Sequence, residues 1–136
     1  MKQVLLTAML GLILVIETAF AQNYEACMDT GSQASWGCQN IAGYLCGAAM
    51  SRDAHISIKQ HIDTLIQSYQ EVGKKQAMPA PASTFLYLQT IATLAAYGPK
   101  YKVLGPLALR VSIEAQCERV GAEAFWKQLE QETRNK

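Results

Sequence analysis

SWGCQNIAGYLCGAAMSR, from Ser35 to Arg52, is the stretch that decides the fold class. Its apolar and small side chains recur at helical spacing, at Trp36, Ile41, Tyr44, Leu45 and Ala48. Strand-like alternation is rare in the rest of the chain, whereas Ala, Leu, Gln and Glu are frequent, which favours helices. The sequence therefore predicts an all-α protein, a small disulfide-stabilised bundle of four to six helices.

Capping residues and glycine or proline breaks predict where the helices start and stop. The predicted N-caps are Ser32 or Ser35 for a helix that runs to about Arg52, Asp53 for a helix over about 54–72, and Ser83 for a helix over about 84–97. Gly98-Pro99 is expected to end the third of these, and Gly105-Pro106 to start another. A last helix is expected over about 122–133.

Two glycines in the first of these helices, Gly43 and Gly47, form a G-x-x-x-G pattern. Each weakens a helix by about 1 kcal/mol relative to alanine, so a compensating contact is expected. The pattern predicts that a neighbouring helix approaches closely at this point.

The N-terminus has the three parts of a secretory signal peptide. Lys2 supplies a positive charge, 4–16 is an apolar run, and Ala19-Phe20-Ala21 is a small-residue cleavage site. We expect cleavage after Ala21, which makes 1–21 a signal peptide and 22–136 a single helical domain. The expected location is the periplasm, with no membrane insertion after cleavage.

The cysteines Cys27, Cys38, Cys46 and Cys117 all follow the predicted signal peptide. An even number in a small exported domain predicts two disulfides. A Cys38–Cys46 bridge is disfavoured, because eight helical residues separate the two Cα atoms by about 12 Å, beyond the ~7 Å limit. Two pairings remain. The sequence interpretation favours Cys27–Cys38 with Cys46–Cys117.

Composition argues against several classes of function. The net charge of +1 offers no electrostatic basis for binding nucleic acid or an anionic membrane. The only histidines, His55 and His61, are six residues apart and do not share a helix face, so neither a metal site nor a cofactor is expected. Ser51 and Asp53 lie near His55, but helix capping and exposure explain them without catalysis. The sequence predicts a protein that is not an enzyme and has no catalytic residues.

Two segments are candidates for binding a protein partner. The first is the proline-containing connector 76–83, because prolines reduce the entropy that a loop loses on binding. The sequence alone slightly favours the other interpretation, an ordinary helix connector. The second is the stretch 97–102, where Tyr97 and Tyr101 fit the core pattern less well. A tyrosine at the edge of the core is the interpretation that the sequence favours for each of them, and a tyrosine in a binding surface is the alternative. The candidate residues are Met78, Pro79, Pro81, Ser83, Tyr97, Lys100, Tyr101 and Lys102.

The order of these features resembles the Rap1a/Tai group of periplasmic immunity proteins of type VI secretion systems. The resemblance rests on Cys38, the Gly43-Tyr-Leu-x-Gly47 segment, Pro79 and Pro81 before Thr84 and Gln89, Tyr97-Gly-Pro99, and Cys117. It implies a small helical protein with disulfides that binds a peptidoglycan amidase effector and blocks its active-site cleft. It also implies that a homodimer is an alternative to a monomer.

Three other functions are weighed against an immunity protein. The first is a small acid-stress chaperone, which would expose apolar surface as its carboxylates protonate. The second is an assembly component of an envelope secretion or conjugation machine. The third is a small enzyme, which the missing site motifs disfavour.

Overall fold

The computed structural model describes residues 27, 37–78 and 81–135, and within these residues it is all-helical. The helices are α1 (Cys38–Asp53), α2 (Ile58–Gly73), α3 (Ala82–Tyr97), α4 (Pro106–Val120) and α5 (Ala122–Arg134). The predicted all-α, disulfide-stabilised bundle is confirmed. The predicted signal peptide and the predicted caps Ser32 and Ser35 lie outside the described residues.

Helix α1 lies at the centre of the bundle and contacts α4, α3 and α2. Its buried side chains are apolar or small on most of its circumference, as expected for a helix that is covered by several neighbours. It packs against alanines of α3 and against Leu109 and Ile113 of α4, while α5 adds Phe125 and Leu129 to the same core. This core explains why the G-x-x-x-G helix forms despite its two glycines.

Two of the predicted N-caps are wrong. Asp53 is the last residue of α1, and α2 starts after Ser57, whose hydroxyl accepts from the Gln60 backbone N–H in a capping box. The cause is the turn at His55, whose positive φ of 61° separates the two helices. Helix α3 has Pro81 as its N-cap and contains Ser83 in its first turn. The breaks at Gly98 and Gly105 occur where they were predicted.

The favoured disulfide pairing is also wrong. The bridges are Cys27–Cys46 and Cys38–Cys117, with Cα–Cα distances of 5.4 and 5.5 Å. Helices α1 and α4 are antiparallel, so Cys38 at the start of α1 meets Cys117 near the end of α4. Cys46 lies about 12 Å further along α1, out of reach of Cys117. It bridges to Cys27 instead, and this pair is buried against Met50.

Candidate binding groove

The second candidate segment is a tightly held turn between α3 and α4. The Tyr97 hydroxyl donates to the Ile56 carbonyl at 2.6 Å. Lys100 pairs with Glu132 of α5 at 2.8 Å. Tyr101 is buried, with 3 % of its surface exposed, whereas Lys102 is exposed. Tyr97 and Tyr101, which fit the core pattern of the sequence poorly, therefore stabilise the fold.

Arg52, in the last turn of α1, stabilises the connection between α3 and α4. Its guanidinium donates to the carbonyls of Ala96, Tyr101 and Leu104 at 2.7, 3.2 and 2.5 Å. The side chain is only 12 % exposed. These carbonyls belong to the end of α3 and the turn after it, where helical carbonyls lack intrahelical partners. The Arg52 guanidinium therefore holds the end of α3 and the turn after it in place.

The first candidate segment lies at the opposite end of α3. This helix has 16 residues, which corresponds to a length of about 24 Å. The two segments therefore do not form one continuous contact site. Pro81 and Ser83 are exposed, Met78 is half-buried, and Pro79 lies outside the described residues.

Met78 borders an open groove between α1, α2 and α3, which we name the α1–α2–α3 groove. Its volume is about 200 Å³. Aromatic, aliphatic and a few uncharged polar side chains line it. They are Gly43, Tyr44 and Gly47 of α1; His61, Leu65, Ser68, Tyr69 and Val72 of α2; Met78; and Phe85 and Gln89 of α3. Tyr69 stacks on Phe85 with ring centroids 4.1 Å apart, which joins α2 to α3 along one wall.

The groove exists because α2 packs closely on α3 but touches α1 at few points. A β-carbon added at Gly47 would meet no atom of the other described helices within 4 Å. The predicted close helix approach is therefore wrong at Gly47, which faces open space. The absence of a side chain there leaves the groove floor bare.

His61 is the most buried residue of α2 and lines the groove. Its Nδ1 lies 2.7 Å from the Ser51 hydroxyl at the end of α1. Its Nε2 is buried and has no hydrogen-bond partner among the described residues. Burial lowers the pKa of His61 below its ordinary value, and burial raises the pKa of Tyr44. Both effects keep these groove side chains uncharged at neutral pH.

The Ser51–His61 pair places a hydroxyl beside an imidazole, the first two members of a nucleophilic triad. No carboxylate of the described residues hydrogen-bonds the other ring nitrogen, so the orienting third member is missing from this arrangement. Ser51, Asp53 and His55, which are close in the sequence, do not bring their side chains together. Asp53 pairs with Arg52 at 3.0 Å, and His55 is exposed. The pair therefore acts as a polar link between α1 and α2.

The lowered pKa of His61 predicts a pH-dependent stability. In the unfolded chain the His61 imidazole binds a proton near pH 6.5, whereas in the folded chain it binds one only at a lower pH. The contribution of His61 to the free energy of unfolding is therefore complete above pH 6.5 and is lost as the pH falls from 6.5 through the lower folded pKa. We expect urea unfolding to show a lower stability at pH 5.5 than at pH 7.5. His61→Gln is expected to reduce this difference. His55→Asn, at the exposed histidine, should leave it as in the parent chain, and a parent chain equally stable at both pH values would contradict the prediction.

Sequence reasoning missed His61 as a groove residue. It considered His61 only as a possible metal ligand and did not assign it to a face of α2. The signal was present, because His61 lies three residues after Ile58 and four before Leu65, on the same helical stripe. Its link to Ser51 depends on the angle between α1 and α2, which no local pattern encodes.

Three further findings concern metal binding, membrane crossing and similarity to known proteins. No cluster of three or more His, Cys, Asp or Glu side chains in the described ranges has a geometry that could hold a metal ion. None of the helices in the described part of the chain has the length and hydropathy to cross a bilayer. In comparisons with known proteins, no family model matches this chain, and no curated protein or solved structure matches it either.

Proposed function

We propose that this chain is an exported immunity protein that binds and inhibits a peptidoglycan amidase effector of a type VI secretion system in the periplasm. The α1–α2–α3 groove is the contact site for the effector. The observation that carries this proposal is the position of the groove beside the connector that precedes α3. Met78, a candidate residue from the sequence, forms part of its edge.

The chemistry of the groove fits protein recognition. Aromatic and methionine side chains are enriched at the centre of protein interfaces, where they supply large apolar contact area. Tyr44, Tyr69, Phe85 and Met78 provide this surface. The exposed Pro81 and Ser83 extend it along the start of α3. The class of partner, a peptidoglycan amidase effector, is taken from the resemblance of the sequence to the Rap1a/Tai group.

Disulfides also suit a protein that works outside the cytosol. Two bridges join α1 to the segment before it and to α4. Such bonds persist in the bacterial periplasm and are rare in the cytosol. An inhibitor needs a stable, shaped surface, and its specificity comes from shape and from groups that reject the wrong partner.

The test is protection from lysis in cells that export an amidase effector encoded beside this gene. We expect the full chain to prevent lysis and a chain without residues 1–21 to fail. Met78→Glu should weaken protection, because it places an unpaired carboxylate at the apolar edge of the groove. Val111→Glu is the matched control: Val111 is 69 % exposed on α4 and should tolerate the change.

Absence of protection, together with no complex in size-exclusion chromatography, would contradict this effector class. Equal protection by the Met78 and Val111 variants would leave the function but remove the groove as the contact site. Purified variants are compared by circular dichroism, so that loss of folding is separated from loss of binding.

A second candidate function is an assembly component of an envelope machine. The observation that favours it is a pair of exposed apolar side chains one turn apart on α4, Leu107 and Val111, with the exposed Val103 in the turn before this helix; the three are 47, 69 and 78 % exposed. Exposed apolar rows mark protein contact surfaces. In that case, a pull-down from envelope extract would recover several machine proteins, and Val111→Glu rather than Met78→Glu would lose them.

A further inference from the structure

We propose that His61 is a pH-sensitive latch that holds α2 on the bundle. Protonation of its imidazole in mildly acidic solution releases α2 from α1 and α3, while α1, α3, α4 and α5 stay assembled. Because α2 supplies one wall of the α1–α2–α3 groove, its release also takes the groove apart. This local opening goes beyond the proposed function and does not depend on the identity of a partner.

Helix α2 is attached to the bundle less firmly than the other four helices. Its only buried residue is His61, whereas each of the other helices buries at least two apolar side chains. Neither buried apolar cluster of the described chain contains a residue of α2, and neither disulfide joins α2 to another helix. Segments with few buried apolar contacts open at a lower free energy than the core. We therefore expect α2 to detach more readily than the core unfolds.

The contacts of the His61 imidazole suit its neutral form. His61 is 8 % exposed, its Nδ1 lies 2.7 Å from the Ser51 hydroxyl, and its buried Nε2 has no partner among the described residues. When the ring is neutral, the Ser51 hydroxyl can either donate to Nδ1 or accept from it. The imidazolium carries an N–H on both nitrogens, so the Nε2–H becomes a buried charged donor without an acceptor. Water can reach this N–H only if the ring leaves its site, and α2 moves with it.

The surroundings of His61 do not compensate for a proton on the ring. The titratable side chains on the stretches of α1, α2 and α3 around this contact are Tyr44, Arg52 and Asp53 of α1, Lys59, Asp63 and Tyr69 of α2, and Tyr97 of α3. The two carboxylates pair with basic side chains, at 3.0 Å for Asp53 and 2.8 Å for Asp63. Burial raises the pKa of Tyr44 and of Tyr97, so neither phenol supplies a negative charge. Burial therefore lowers the pKa of His61 unopposed, and protonation favours a state in which the ring is hydrated.

Hydrogen exchange of the whole folded chain tests the latch in the parent protein. An imidazole that titrates near pH 6.5 when exposed and stays neutral when buried favours the open state by about 30-fold at pH 5.0. After correction for intrinsic exchange rates, we expect the protection factors of amides in the middle of α2, such as Leu65 and Ile66, to fall by about 5- to 30-fold between about pH 7.5 and about pH 5.0. A fall of less than about two-fold would overturn the proposal.

The same experiment shows whether the opening is local. Amides of α4 around Ile113 exchange only when the core opens, so at pH 5.0 we expect them to be at least about ten-fold more protected than those of α2. Low concentrations of urea should accelerate exchange in α4 more than in α2, because the release of one helix exposes little surface. Equal protection and equal urea dependence in the two helices would show that α2 unfolds only with the whole bundle, which contradicts the latch.

Two histidine variants identify the group that titrates. His61→Gln is uncharged at every pH, so its α2 amides are expected to be equally protected at both pH values. His55→Asn is the matched control, because His55 is exposed and has a φ of 61°, which asparagine adopts more readily than most residues. This variant should respond to pH as the parent chain does. An unchanged response in His61→Gln, or a lost response in His55→Asn, would assign the effect to another group.

An NMR titration of the His61 ring nitrogens in the parent chain decides the case in which His61→Gln itself loosens α2. We expect the ring in the folded chain to titrate below pH 6.5, and the α2 amides to lose protection between pH 6.5 and the midpoint of that titration. A ring that titrates at pH 6.5 or above would rule out the latch whatever the variant does.

Failure of the latch and failure of the proposed function give different results. Protection from lysis together with a pH-independent α2 removes the latch and keeps the immunity function. A pH-dependent α2 without protection from lysis keeps the latch and removes the amidase effector as the partner.

Discussion

Replacing Cys38 and Cys117 together by alanine is expected to lower the free energy of unfolding by about 4–5 kcal/mol. The two cysteines are 79 residues apart in the sequence, so the bridge closes a long loop in the unfolded chain and removes much of its conformational entropy. Small domains are stable by only about 5–15 kcal/mol, so this loss takes a large share of the total. Urea unfolding followed by circular dichroism measures it.

The second bridge provides the matched control. Cys27 and Cys46 are 19 residues apart, and the same entropy argument gives about 3 kcal/mol for Cys27→Ala with Cys46→Ala. We therefore expect the pair that joins α1 to α4 to cost more than the pair next to Met50. A larger loss for the Cys27–Cys46 pair would show that loop length does not decide the ranking in this fold.

Arg52→Ala is expected to cost about 3–5 kcal/mol of stability. Hydrogen bonds to a charged group contribute about 1.5–3 kcal/mol each, and the substitution removes three of them while leaving the Ala96, Tyr101 and Leu104 carbonyls without this partner. The 12 % exposure of Arg52 means that water replaces the lost donors poorly. Urea unfolding measures the loss, and hydrogen exchange should show that the 97–104 turn opens first.

Two variants separate geometry from charge at this position. Arg52→Lys keeps the charge but lacks the planar fork that reaches three carbonyls, so it should recover less than half of the loss. Arg134→Ala removes a 69 % exposed partner of Glu130 and should change stability by less than about 0.5 kcal/mol. Full rescue by lysine would show that charge alone, and not the three-way contact, stabilises the turn.

Local signals predicted the helices well. The breaks at Gly98 and Gly105 and the final helix lie where the sequence placed them, because proline, glycine and helical periodicity act over a few residues. The caps were predicted less well. Asp53 and Ser57 are both good capping residues, and the choice between them depended on the left-handed turn at His55.

The candidate site was predicted only in part. Met78 was selected for its place in a proline-containing connector, and the structure puts it at the groove edge. Tyr97 and Tyr101 were selected because they fit the core pattern poorly, yet both are used to hold the turn after α3. His61 was not selected, since an isolated histidine on an apolar face carries no motif.

The sequence by itself determined that this chain is helical, because apolar residues at a period near 3.6 and strong helix formers leave no strand pattern to compete. It also determined that Cys38 and Cys46 do not bridge, because their separation along one helix exceeds the reach of a disulfide. Only the tertiary structure decided which cysteines do pair, since that depends on the antiparallel packing of α1 and α4. It also decided that Gly47 faces a groove and not a helix, because the position of α2 is set by its contacts with α3, far away in the sequence.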